Sequence, residues 1–131
     1  MTTRKNISSG SPWEPKFGYS RAVRIGPWVL VAGTTGSTAD GTAAAPDAYG
    51  QSRAALDKIE QALIEGGARM AQVVRTRIYV TNIADFDEVA RAHAERFADI
   101  RPASTLVEVS KLVAPDLVVE IEADAYAPEE T

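Results

Sequence analysis

The sequence predicts a two-layer α+β domain in which two helices cover one face of a sheet, in the order β-β-α-β-α-β-β. Three observations predict it: runs with period-2 apolar patterning, two longer stretches with helical apolar spacing, and turn residues between them. The clearest run closes the chain. Val119, Ile121, Ala123 and Ala125 fall on one strand face, and Glu120, Glu122 and Asp124 on the other. One face suits a core. The second is a row of carboxylates that repel one another unless cations or water meet them.

The elements follow in order. Residues 1–15 are polar, with the first dozen irregular apart from a short extended piece. Strands at 19–25 and 28–32, joined by Gly26-Pro27, read as a hairpin. Residues 34–46, rich in Gly, Ala and Thr, form a loop. Asp47 then suits an N-cap, its carboxylate accepting orphan helix N–H groups. Ser52, Ala55, Leu56, Ile59, Ala62 and Leu63 follow at helical spacing, and Gly66-Gly67 supplies a left-handed stop. A strand over 73–81 comes next. Asp85 with Glu88 resembles a loose capping box, opening a helix whose apolar stripe is Phe86, Val89, Ala90, His93 and Phe97. Strands at 105–109 and 117–126 complete the sheet. No internal repeat or Pro/Gly/Ser-rich linker divides the chain, so 1–131 reads as a single domain.

Composition narrows the function classes. A net charge of −4 and the lack of a basic tract give a nucleic-acid partner no electrostatic advantage. With no cysteine, disulfides, thiol catalysis and Cys-based metal sites are excluded. The longest apolar run, near Trp28, is too short to span a bilayer, and no charged-then-apolar segment opens the chain. A cytoplasmic protein without a membrane partner is the expectation.

The strand over 73–81 carries Thr76, Ile78 and Val80 on one face and Arg75, Arg77 and Tyr79 on the other. Its guanidinium face complements the carboxylate face of the last strand. Charges buried at a subunit interface must be paired, because desolvation costs several kcal/mol per ion. A solvated or intersubunit ion-pair network is therefore the favoured reading of Arg75, Arg77, Glu108, Glu120, Glu122 and Asp124 as a set. His93 is the sole histidine, and its place in an apolar stripe favours packing over acid/base work. Without a second His or any Cys, no metal site is expected.

Several stretches resemble the Rid family, the reactive intermediate deaminases formerly called YjgF-like proteins. Pro102-Ala-Ser-Thr-Leu-Val-Glu-Val109, Leu112 and Glu120-Ile-Glu-Ala123 match its C-terminal pattern. Phe17-Gly-Tyr-Ser-Arg-Ala-Val-Arg-Ile-Gly26 is similar to its Gly-Pro-Tyr-Ser-Gln-Ala-Val-x-x-Gly. Val31-Ala-Gly-Thr34 is similar to its Val-Ser-Gly-Gln, and Val73 to Val80 matches a Val-Val-Lys-Thr strand.

The resemblance implies a chorismate-mutase-like fold with a mixed sheet, a homotrimer, and sites between neighbouring subunits that bind a small metabolite. It also implies cofactor-free hydrolysis of a reactive imine or enamine to a ketone and ammonia. Carried over residue by residue, Glu120 and Tyr19 become the catalytic candidates: Glu120 to orient water, as general base if burial raises its pKa, and Tyr19 to donate a hydrogen bond. Gly33, whose backbone can approach a ligand closely, Thr34, Ser104, Arg77 and Trp13 become ligand-binding candidates. Trp13 suits a pocket wall or lid and equally a cap on a neighbouring subunit.

Two positions depart from the family pattern. Active deaminases carry Arg where this chain has Ser104, and commonly Asn where it has Ala90. Serine offers one short donor and no charge, so the forked grip on a substrate carboxylate is lost. Arg21, which replaces the usual Gln, and Arg75, Arg77 or Arg101 are the possible substitutes, although surface solvation is favoured for any one of them. Three functions follow in rank: a deaminase with altered specificity, a non-catalytic metabolite-binding trimer, and an endoribonuclease or translation inhibitor.

Overall fold

The computed structural model describes residues 3–128. Its strands are β1 (Arg4–Ile7), β2 (Ala22–Ile25), β3 (Trp28–Thr35), β4 (Val73–Val80), β5 (Ala103–Glu108) and β6 (Val119–Tyr126), and its helices are α1 (Trp13–Phe17), α2 (Ala48–Glu65) and α3 (Phe86–Phe97). The strands form one mixed sheet in the order β1-β2-β3-β6-β4-β5. Every pairing is antiparallel except β4 with β5, which α3 joins as a crossover. The two long helices lie on one face, as predicted.

The core is the apolar face of the sheet against the apolar stripes of those helices. Val29, Val31, Ile78, Val80, Ile121 and Ala123 meet Leu56, Ile59 and Leu63 of α2 and Val89 and Phe97 of α3. All four apolar residues singled out in β6 are buried. The open face carries the charges, together with exposed Trp28, Leu30 and Tyr126.

The N-terminal segment is more regular than expected. β1 adds an edge strand to β2, with Ile7 buried in the core, and α1 follows. Gly18 ends α1 in the left-handed region, φ 86°, and donates its N–H to the Glu14 carbonyl.

Both predicted acidic caps also differ. Asp47 stands at the N-cap of α2 in extended conformation, but its side chain accepts no helix N–H. Glu88 reaches across from α3 and accepts the Tyr49 N–H at 3.3 Å, so it caps its neighbour rather than its own helix. At the start of α3, a 3-10 turn over Ile83–Asp85 intervenes, and Asn82 caps it by accepting from the Ala84 N–H.

The two loops flanking the start of β6 are held by one fully buried side chain. Gln51 Nε2 donates to the carbonyls of Ala45 (3.0 Å) and Asp116 (2.9 Å), and its Oε1 accepts from Val118 N–H (2.9 Å). Gly36 makes this approach possible, since a Cβ there would lie 2.3 Å from the Gln51 carbonyl oxygen. Gln51→Leu keeps the volume and orphans three backbone groups. Urea denaturation should show a loss of about 3 kcal/mol, in the range expected for breaking a buried hydrogen-bond network.

Candidate functional site

β6 splits its three carboxylates by register. Asp124 pairs across from Arg75, Glu122 from Arg77, and Glu120 from the phenol of Tyr79. Arg77 Nη1 lies 3.1 Å from Glu122 Oε1 and 3.3 Å from Asp124 Oδ2. Glu120 is left with no ion pair among the described residues. Arg77 is thus tied into the ion-pair network, the reading favoured for the charged set.

Glu120 meets the backbone of β3 instead. The β3–β6 pairing is irregular between Val31 and Thr34, and Gly33 sits inside that irregularity. A Cβ on residue 33 would fall 2.0 Å from Glu120 Oε2, so the carboxyl group occupies the space that a side chain would take. Burial pushes the Glu120 pKa up, the charge on Arg21 opposes this, and Glu122 adds to the rise. The outcome is a half-buried carboxyl group with its pKa above the ordinary value, a shift in the direction that favours general acid/base work.

Arg21 is the hub of the cluster. Its Nη1 donates to the Gly33 carbonyl (3.0 Å) and to Thr34 Oγ1 (2.6 Å), and its Nη2 donates to the Tyr19 hydroxyl (3.3 Å). The Thr34 hydroxyl in turn donates to the Ala32 carbonyl at 2.8 Å. Four predicted residues, Glu120, Tyr19, Gly33 and Thr34, therefore share one locale. Tyr19 joins through Arg21, and no hydrogen bond to Glu120 is present among the described residues. Glu14 also feels the charge on Arg21: burial alone would raise its pKa, but hydrogen bonds from Ser9 and Ser8 and that charge hold it below the usual carboxylate range.

Lys58, on the outer side of α2, was not signalled by the sequence. Its ammonium turns back onto β3 and donates to the Thr35 carbonyl and Ser37 Oγ, both at 3.1 Å. Burial and the charge of Arg21 together lower its pKa.

Ser104 and Trp13 stand apart from this cluster. Ser104 lies on β5 opposite Thr76 and on the helix-covered face. It accepts a hydrogen bond from Thr76 Oγ1 at 2.8 Å, and Thr76 in turn meets His93 Nε2 at 2.9 Å. His93 packs on Phe97 with ring centroids 4.6 Å apart, and burial lowers its pKa, which accords with a packed, neutral imidazole. Trp13 is half-exposed on α1, with the Lys16 ammonium 5.1 Å from its ring centre. Among the described residues no group of three His, Cys, Asp or Glu side chains is placed to hold a metal ion, and no helix is long and apolar enough to cross a membrane.

Fold and cluster together define a small α+β protein with a glycine-backed carboxyl site on its open sheet face. The endoribonuclease L-PSP family profile matches residues 11–127, and the chain belongs to that family, the Rid or YjgF-like family that its motifs resemble. Rv2704 from Mycobacterium tuberculosis, a member of the YjgF/YER057c/UK114 family, is 55% identical, with a TM-score of 0.89 over 95% of this chain and 100% of that one. The protein SCO2049 from Streptomyces coelicolor is 38% identical over 122 residues, 93% of this chain and 91% of its own. A 2-iminobutanoate/2-iminopropanoate deaminase from Salmonella typhimurium is 28% identical over 110 residues, 82% of this chain and 85% of its own.

The raised pKa of Glu120 has a stability signature. Folding disfavours its ionised form, a cost that is absent below the unfolded-state pKa and complete above the folded one. Glu120→Gln should therefore raise the melting temperature near neutral pH, with the gain vanishing on acidification below the ordinary carboxylate range. Melting curves of both proteins at pH 7.5 and 3.5 check this. A variant less stable than wild type at pH 7.5 contradicts it.

Proposed function

We propose that the chain is a cofactor-free hydrolase of small imines or enamines, releasing a carbonyl compound and ammonia, with a ligand preference altered at residue 104. The observation that carries this reading is Glu120, a carboxyl group with a raised pKa pressed against the Gly33 backbone and free of any ion pair among the described residues. Membership of the family and the likeness to the Salmonella deaminase support it.

The chemistry asks little of the protein. An enamine first takes a proton on carbon to become an iminium ion. Glu120 accepts a proton from water as the water oxygen bonds to the iminium carbon, and the C=N π electrons move to nitrogen. The same carboxyl group returns that proton to the amine nitrogen; the C–N bond then breaks as the hydroxyl oxygen forms the carbonyl, its proton passing back to Glu120, and ketone and ammonia leave. Arg21 holds Tyr19 and the Gly33 carbonyl in place around that exchange.

Assembly belongs to the same proposal. Ser104 and Glu120 lie on opposite faces of the sheet, so a small ligand meets both only where two protomers adjoin. Trp28, Leu30 and Tyr126, exposed beside the Arg77 ion pairs, make the open face suitable for burial between copies. We expect a homotrimer with that face turned inward. Light scattering at micromolar concentration checks it, and a monomer overturns it.

Ribonuclease chemistry fits less well. His93 is packed and bonded to Thr76, which leaves no histidine pair for acid/base cleavage, and the net charge is −4.

The activity test couples generation of 2-aminoacrylate to detection of ketone and ammonia. Wild type should turn it over weakly, because a charge-assisted forked contact at residue 104 is lost, and Ser104→Arg should gain roughly tenfold or more. Glu120→Gln should abolish turnover without dissociating the trimer. Ligand binding without turnover of any imine would instead mark a non-catalytic binding protein.

A further inference from the structure

Two cations, Arg21 and Lys58, are anchored at the end of β3 with hydrogen-bond donors to spare. Arginine has five N–H donors in a planar fork, and Arg21 commits three of them, two from Nη1 and one from Nη2. Two donors remain, one on Nε and one on Nη2, and a guanidinium with spare donors is a ready partner for a carboxylate. Lys58 likewise uses two of its three N–H donors.

Neither cation has an ion pair within salt-bridge distance among the described residues. Both are anchored to one short stretch of chain, Arg21 at Gly33 and Thr34, Lys58 at Thr35 and Ser37. The charge on Arg21 disfavours the charged form of Lys58, and an anion between them would remove that penalty. The two nearby carboxylates do not fill that role by contact. Glu14 is engaged by the N–H and hydroxyl of Ser9, and Glu120 stays beyond ion-pair distance of either cation.

We propose that Arg21 and Lys58 form an anion-binding site at the end of β3 that takes the carboxylate of a small monocarboxylic acid, through Nε–H and the remaining Nη2–H of Arg21 and the third N–H of Lys58. A carboxylate suits a guanidinium with spare donors, and Glu120 next door disfavours a dianion such as phosphate. This rests on reading the Glu120 cluster as the ligand site. It assigns the acid end of the ligand to the Tyr19 side of that cluster, where residue 104 of the same protomer does not reach.

The test is binding rather than turnover, so its failure is distinct from failure of the hydrolase reading. NMR titration compares propanoate with its uncharged match, propanamide, in wild type, Arg21→Gln, Arg21→Lys, Lys58→Met and Arg101→Gln. Wild type should favour propanoate by about tenfold or more, the scale of one charge-assisted contact. Arg21→Gln and Lys58→Met should each bring the ratio close to one, Arg21→Lys should leave it intermediate, and Arg101→Gln, in the loop between α3 and β5, should leave it unchanged. Lys58 is exposed on α2, so its variant reads the site even if Arg21→Gln fails to fold. Equal affinities in wild type, a preference that survives Lys58→Met, or phosphate displacing propanoate at equal concentration overturns the proposal.

Discussion

The register of β4 on β6 is the constraint from which the rest of the molecule follows. A one-residue slip would carry Ile78, Val80, Ile121 and Ala123 out of the core and drive Arg77, Glu122 and Asp124 into it. Burial of the apolar face fixes the register. The partly exposed ion pairs that line the other face contribute modestly and follow from it. The same register decides which carboxylate is different. Arg75 and Arg77 stand opposite Asp124 and Glu122, so Glu120 is the member left facing a phenol.

The β3 irregularity completes that distinction. In a regular strand, residue 33 would project a side chain, and the Glu120 carboxyl group would be turned toward water. With glycine there, the carboxyl group folds onto the backbone and loses part of its hydration. Arg21 donates to the carbonyl of the same residue. One glycine thus does two things: it admits Glu120, and it leaves a carbonyl that orients the arginine which tempers Glu120's charge.

Much of this was legible in the sequence because it depends on period and turn chemistry alone. The alternation of β6, the apolar stripe of α2 and the two faces of β4 are local patterns, and each appears in the structure as written. Motif resemblance located Glu120, Tyr19, Gly33 and Thr34, which lie far apart in the chain and which periodicity cannot bring together. What was misread depends on partners distant in sequence. Glu88 looked like a cap for its own helix because Tyr49, whose N–H it accepts, is 39 residues upstream. α1 carries two prolines in or beside a single turn, and its integrity rests on Gly18 and on burial of Glu14 against Ser9. Lys58 bears no local mark at all, since only the path of residues 35–37 past α2 gives it partners.

Ser104 shows how a substitution of residue type and the geometry around it can separate. The sequence reveals that a charge is missing there, but not that the side chain belongs to the helix-covered face, bonded through buried Thr76 to His93. The Glu120 cluster is built from the segment before β2, from β3, α2 and β6, and takes nothing from β5. Loss of a guanidinium at residue 104 therefore leaves the electrostatics around Glu120 intact within one protomer. The two features answer to different physical requirements: the cluster to backbone approach and local charge balance, residue 104 to whatever lies across from an exposed edge strand. A change at the second can redirect what the molecule holds without altering the carboxyl group at the first.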